Sequence, residues 1–596
     1  MELSSEQSTS TQLVTSKRGG LRTMPCIISN EALERVASIG LHANMILYLL
    51  YEYNMDAATG ASILFLWSAI SNFTPIVGAF LSDSHLGRFC TIAWGSVVSL
   101  LGTTMLWSTA IIPHARPVHC NNPLKEKCVS ANTAQLMLLL ASFGLQSIGS
   151  GAIKPCSMAF GADQMDKPDN PKNERVLQSF FNWYYASVGV FVMFSVTAII
   201  YVQTQFGWVV GFGIPVGLMF LSALLFFLGS SLYVKVPPNK NLSAGLVQVI
   251  AAAWKNRHLA LPVSPKNFDA WHCIKSSKFA TPTDNLRCLN KACMIRSPEQ
   301  DIASDGLAND PWSLCTVRQV QELKALIRIL PIWSTGIIIA MTTTQHSFAV
   351  LQANAMDRHI LGKIQIPAAS LSTFAVLTLV IWVAIYDRIL VPLVAKYTKR
   401  PRGFTFKQRI GAGLVISCLA TAVAAEVARQ RRKIAIEAGF LSNPGGIVSM
   451  SAMWLVLQYC LSGLSEALNS IGQLEFYYSQ FPKSMSSIAM ALLSFGGAFG
   501  SLLGSLVVNI VDDVTKKDGV SWVSKNLNKG HYDYYYWLLT VLNVVNVFYF
   551  LLCGWLYGPC EDKNNWDEEE EGMKEMEEME KLSIKSGEYA VVYSSA

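Results

Sequence analysis

The strongest constraint on this chain is the recurrence of apolar runs long enough to cross a lipid bilayer. A spanning helix needs about 20 apolar residues, because each adds about 1.5 Å through hydrocarbon roughly 30 Å thick. Such runs fall at roughly 30–52, 58–82, 89–113, 134–159, 177–204, 208–235, 327–352, 368–392, 406–428, 447–472, 485–511 and 535–558. No water reaches the bilayer core, so backbone polar groups there must pair within their own segment, and the runs must be helices. Composition agrees: 51% of the 596 residues are hydrophobic and 15% charged, whereas soluble domains carry about 25% charge. The expectation is an all-α membrane protein of twelve transmembrane helices in two six-helix halves.

The division into halves comes from the polar break at 237–322. Its mixed polar composition, with Pro262, Pro265 and Pro282 and an amphipathic stretch near Val320–Leu326, reads as a linker with one surface helix. The expected domains are an N-terminal segment 1–29, a six-helix bundle 30–236, the linker 237–322, a second bundle 323–559 and an acidic tail 560–596. Basic residues crowd the linker and Lys396–Arg409, which places both, and both termini, in the cytosol by the positive-inside rule. Arg429, Arg431, Arg432 and Lys433 oppose that rule, because an even number of spans puts them outside. The polar stretch before Met24 lacks the basic and apolar regions of a signal peptide, so the first span is expected to direct insertion. The net charge of +6 forms no long basic tract, so nucleic acid is not an expected partner. The 13 cysteines lack metal-ligand spacing, so neither metal nor cofactor is expected. Cys120 and Cys128 flank a polar loop expected outside the cell, where a disulfide and two free thiols both fit.

Ionisable residues inside spans are costly and must face protein or water with a partner. Glu31, Glu34 and Arg35 share one face of the first span, being three and four residues apart. Lys154, in Gly149-Ser150-Gly151-Ala152-Ile153-Lys154-Pro155, is their natural partner; its glycines permit close helix approach. Glu466 is the lone mid-span acid of the second half and faces either a cavity or a buried hydrogen-bond donor. His346, after Thr342-Thr343-Thr344-Gln345, can titrate or bind an anion, or simply pack. Asn182, Trp183 and Tyr185 can line the same cavity or pack. An Asp–Arg element ends the second span of each half, Asp83 with Arg88 and Asp387 with Arg388. This weak internal symmetry suggests paired repeats with a site near the midplane, and the elements read as helix-end latches or as caps.

No Walker A loop, nucleophile elbow or HExxH motif is present, so an enzyme is not expected. Several segments together resemble the proton-coupled oligopeptide transporter family, and most nearly its plant nitrate/peptide branch. They are ExxER at 31–35, GAFLSDSHLGR at 78–88, GSGAIKP…FGADQMD at 149–166, FFNWYY at 180–185, QELKALIRILPIW at 321–333, IPAASLSTF at 366–374 and the segment around Glu466. The resemblance implies a major-facilitator fold, alternating access and proton symport, with Glu31, Glu34, Arg35 and Lys154 in proton coupling and Glu466 near the substrate. Peptide carriers have a Phe and two Tyr after ExxER, where this chain has Val36, Ser38 and Ile39. A nitrate carrier of the branch holds its anion on a seventh-helix histidine, whose place here is Thr342, with His346 one turn later. Thr91 matches that carrier's regulatory phosphothreonine, which implies a kinase as a partner. The expected function is nitrate/proton symport at a plant plasma membrane. A carrier of an organic acid or hormone (gibberellin, abscisic acid), a di- or tripeptide carrier and a nitrate sensor are the alternatives.

Overall fold

The computed structural model describes residues 19–118, 129–165, 180, 184, 187, 189–235, 245–261, 270–273, 281–303, 308–360, 364–398, 404–443, 446–481, 486–517 and 519–558. The main helices are α1 (Met24–Tyr51), α2 (Ala57–Leu81), α3 (Arg88–Ile111), α4 (Thr133–Met165), α5 (Ile200–Leu228) and α6 (Gly245–Lys255). They continue with α7 (Val317–Thr343), α8 (His346–Asn354), α9 (Thr373–Ile385), α10 (Val391–Thr398), α11 (Phe406–Glu437), α12 (Trp454–Gln480), α13 (Ser486–Lys517) and α14 (Tyr532–Tyr557).

Nine helices among the described residues are long and apolar enough to cross a membrane. Twelve is reached only by adding α1 and α12, and by dividing the 43-residue apolar segment Gly189–Ser231. Both added helices are long enough, at 28 and 27 residues, but carry charge within their length. The long segment bends at Gly207, whose φ of 79° suits glycine. That bend falls between the two expected spans.

α1 begins at Met24, with Pro25 in its first turn where a missing N–H costs nothing. Glu31 to Arg35 therefore sit two turns inside the helix. The opposite face is fixed: Ser195 Oγ donates to Val36 O at 2.7 Å, and Gln203 Nε2 to Gly40 O at 3.1 Å. Asn30 donates to Ser96 Oγ at 3.1 Å and Ser222 Oγ at 2.9 Å, tying α1 to α3 and α5. The second helix of each half ends in a π-helical turn, Ser82–Leu86 and Tyr386–Leu390. A π-turn is rare and tends to mark functional positions, so its appearance at both Asp–Arg elements strengthens the internal symmetry.

By contacts the chain forms two units. The larger holds Met1–Asn239, Ser334–Gly472 and Ala491–Leu551. Its two halves share one apolar cluster at the Tyr51 end of α1, where Met45, Leu49 and Phe65 join Phe348, Leu351 and Tyr535. Below it, α2 runs against α13 through Ser62–Ser505 (2.6 Å), Ser68–Ser501 (3.2 Å) and the Phe73–Phe495 rings. Towards the Met24 end lies a separate cluster of N-terminal-half residues, among them Ile27, Phe160 and Tyr233.

Three segments differ from expectation. α11 does not stop near 428 but continues to Glu437. Arg431 is 1% exposed and donates to Asn528 Oδ1 and Leu527 O, each at 2.9 Å. Arg429 and Lys433 pair with Glu426 and Glu437. These basic residues serve the helix and its neighbouring loop, so they carry little topological information. The span expected from 447 starts at Trp454, because Val448–Ser451 is a strand pairing with Met356–Asp357.

The smaller unit holds Lys240–Trp333, Gln473–Met490 and Leu552–Ala596. The expected surface helix near 320 is the start of α7; a separate helix, α6, packs Val249 and Ala252 with Trp271, Cys293 and Val320. Burial pushes the Cys293 thiol up to about 12 and Cys315 up to about 11. Cys120 and Cys128 lie outside the described residues.

Candidate functional site: a charge cluster inside the N-terminal half

Lys154 reaches the interior because of the glycines before it. A Cβ on Gly149 would lie 2.5 Å from the Ser99 nitrogen, and one on Gly151 would overlap Thr74. Only glycine lets α4 approach α3 and α2 this closely. Gly463 does the same for α12 against Ala375 of α9, three residues before Glu466.

The four expected charges come together. Arg35 Nε donates to Glu31 Oε1 at 2.7 Å. Glu31 and Glu34 are both 0% exposed. Neither carboxylate oxygen of Glu34 has a hydrogen-bond partner among the described residues. Lys154 lies close enough for its charge to act on Glu34, Arg35 and Glu31. Two carboxylates thus face two cations in a low-dielectric interior, where such groups survive only as partners.

His346 opens α8, and its ring stacks on Tyr459 of α12 at 5.8 Å. Thr342 donates to Ile339 O at 2.9 Å and lies 3.3 Å from Ser417 Oγ, which ties it to α11. Glu466 reads as exposed although protein surrounds it, which is the signature of a side chain lining an internal space. Among the described residues no charged group acts on it, so it stands apart from the ExxER cluster.

Arg88 donates to both oxygens of Asp163, at 2.6 and 2.7 Å, joining the start of α3 to the end of α4. Arg388 is exposed, and the side chains of Asp83 and Asp387 lie outside the described residues. So do Asn182 and Tyr185. Thr91 is 2% exposed and donates to Gly87 O at 3.0 Å. A cavity of about 650 Å³ lined by Val511, Trp522, Lys529 and His531 contains none of these residues.

The sequence reading overlooked Asp163. Asp163 was visible within FGADQMD, but nothing in one sequence pairs it with Arg88.

Membrane-length helices in two halves that share an apolar cluster, with buried glutamates inside, fit a solute transporter of the major-facilitator fold. Residues 89–526 match PTR2, the POT family, and the chain belongs to that family. It is 51% identical to Protein NRT1/PTR FAMILY 1.2 of Arabidopsis thaliana over 551 residues, covering 92% of this chain and 91% of the relative. It is 50% identical to Protein NRT1/PTR FAMILY 1.1 of the same plant over 576 residues, covering 96% and 98%. Among solved structures it is similar to an auto-inhibited POT family peptide transporter, with a TM-score of 0.67 at 22% identity, covering 91% of this chain and 98% of that one. It is also similar to a POT family transporter in complex with 5-aminolevulinic acid, with a TM-score of 0.60 at 15% identity, covering 91% and 99%. The relatives are plant NRT1/PTR proteins and the structural neighbours are transporters, not enzymes.

Proposed function

We propose that this protein is a proton-coupled symporter of a small anion, with nitrate as the first candidate, working by alternating access in a plant plasma membrane. The observation that carries the reading is the set formed by the buried Glu31 and Glu34 with the half-buried Arg35 and Lys154. With both carboxylates ionised the two cations are engaged. Protonating one carboxylate frees positive charge inside the protein, and an anion can take it up. The loaded site is neutral again, so the halves can rock about it.

With both termini in the cytosol, the Tyr51 end of α1 faces outside. The shared apolar cluster then lies on the outer side. Arg88 with Asp163, and the element at Asp387 and Arg388, act as helix-end latches during the exchange. A kinase acting on Thr91 needs the start of α3 to open first, because that hydroxyl is buried on Gly87 O. Phosphate there would add nearly two negative charges at a helix start.

A monovalent anion entering a negative cell moves uphill by about 2.3 kcal/mol per 100 mV. Two protons per anion give a net inward positive charge. The test is substrate-induced current in oocytes at several pH values, with nitrate, gibberellin, abscisic acid and a dipeptide. Acid-stimulated inward current with nitrate supports the reading; current with the dipeptide alone sinks it. A larger organic acid is the second reading, favoured by Val36, Ser38 and Ile39, which replace three aromatic rings with smaller side chains. In that case gibberellin or abscisic acid gives the current and nitrate gives none.

A further inference from the structure

We propose that the cavity where α13, α14 and the loop between them meet is a seat for a phospholipid, with its phosphate on Lys529, in the positive field of Arg432, and its acyl chain laid along α13. The cavity, about 650 Å³, has the size that accepts a drug-sized ligand. Ile510, Val514, Val520 and Leu538 make its apolar side, and Lys529 and His531 are its ionisable lining residues. None of the described residues lining it is acidic.

The charge at the polar side is unbalanced. Lys529 is exposed and in no ion pair among the described residues. Arg432, the one base of the run after 428 that is neither paired with a glutamate nor consumed by Asn528, turns to this cavity: its Nη2 donates to His531 Nε2 at 3.1 Å. A guanidinium can only donate, so that nitrogen accepts and the imidazole is neutral. Asp533 faces the other ring nitrogen, Oδ1 to Nδ1 at 3.7 Å, and is itself buried. Asp512 is taken by Lys516 at 4.0 Å. Two cations against one carboxylate favour an anion, and phosphate oxygens accept strongly from both lysine and arginine.

The apolar side points to a lipid rather than a dissolved acid. Ile510, Val514 and Val520 are each about half exposed, so the cavity opens on the flank of the helix. Leu502 and Leu506, also exposed, continue the same ridge of α13 at four-residue steps down the span. A chain lying on that ridge stays in hydrocarbon while its head reaches Lys529. Exposed Tyr534 and Trp537 mark the level of the headgroups, where aromatic residues of membrane proteins collect. Tyr534 also stacks on His531 at 4.6 Å and meets the edge of Trp522 at 5.5 Å, so the same rings wall the cavity. Val511 belongs to the apolar cluster shared by the halves, and Trp522 and Leu538 pack on it. The lipid therefore comes from the leaflet at the Tyr51 end of α1, the outer one in the topology proposed above. A ligand that binds this arrangement stabilises it by mass action.

The test uses the full chain in nanodiscs containing phosphatidylglycerol with a diazirine in one acyl chain, followed by irradiation and peptide mapping. The expected label falls on the peptides covering 502–538, and unlabelled phosphatidylglycerol competes for it while diacylglycerol, which lacks the phosphate, does not. Lys529→Glu should lower that label about tenfold, the cost of one charge-assisted hydrogen bond, with labelling of the other spans unchanged. Lys529→Gln takes its place if the charge reversal does not fold. Val514→Trp, which fills the cavity and keeps its charges, should lower the label as well. Equal labelling in wild type and all three variants, or equal competition by diacylglycerol, overturns the seat. Displacement by octanoate but not by phosphatidylglycerol overturns the lipid in favour of a soluble acid. The symport reading stands or falls separately, by the currents above.

Discussion

Lys154→Ala tests the coupling mechanism most directly. Lys154 and Arg35 are the two described cations whose charge acts on Glu31 and Glu34, and Arg35 is already engaged with Glu31 at 2.7 Å. Removing Lys154 leaves Glu34 buried at 0% exposure, with no hydrogen bond to either oxygen among the described residues. Taking one partner from a buried charge pair costs about 3–5 kcal/mol. At 1.4 kcal/mol per factor of ten, the state in which both carboxylates are ionised falls about a hundred- to a few-thousand-fold. The proton cannot then be released at a useful rate. In proteoliposomes, uptake driven by a pH gradient should drop by at least a hundredfold. Counterflow, in which labelled anion exchanges for unlabelled anion with no net proton movement, should survive. Lys154→Arg should keep a measurable part of the driven uptake. Normal gradient-driven accumulation by Lys154→Ala would refute the scheme, because the lysine would then be structural.

Other outcomes follow from the same geometry. Ser62→Cys with Ser505→Cys should crosslink under oxidation, since the hydroxyls lie 2.6 Å apart; transport should stop and return with reductant. Gly149→Leu should lower the melting temperature in detergent, or abolish expression, because the added atoms meet the Ser99 backbone and overpacking typically costs 1–3 kcal/mol or more. Arg431→Met should destabilise the protein by about 2–4 kcal/mol through lost charged hydrogen bonds, read as a lower melting temperature with substrate KM unchanged. Asp163→Asn should weaken the α3–α4 tie, leaving KM near wild type and changing the maximal rate.

The membrane character and the halves were legible because bilayer thickness writes a length into the sequence. α1 and α12 show where that signal fades: the charges inside them make them less apolar than the other spans, and those charges are the ones proposed to carry coupling and substrate contact. The Glu31–Arg35 pair was readable from helical spacing, since both residues sit on one helix. The Arg88–Asp163 pair was not, because 75 residues separate its members and only the packing of α3 on α4 brings them together. The basic residues after 428 strained the positive-inside reading for a related reason. Charge counting treats every arginine as solvated, whereas Arg431 is consumed by a loop it holds in place.

The apolar cluster that joins the halves at the Tyr51 end has a thermal consequence. Opening that end exposes aliphatic and aromatic surface to water, and the free energy opposing this weakens on cooling. The balance between the two faces of the carrier should therefore drift with temperature, cold favouring the state in which this end is parted. A membrane in the cold would then hold a different resting population of the same molecule from a warm one, with no change in sequence, abundance or ligand.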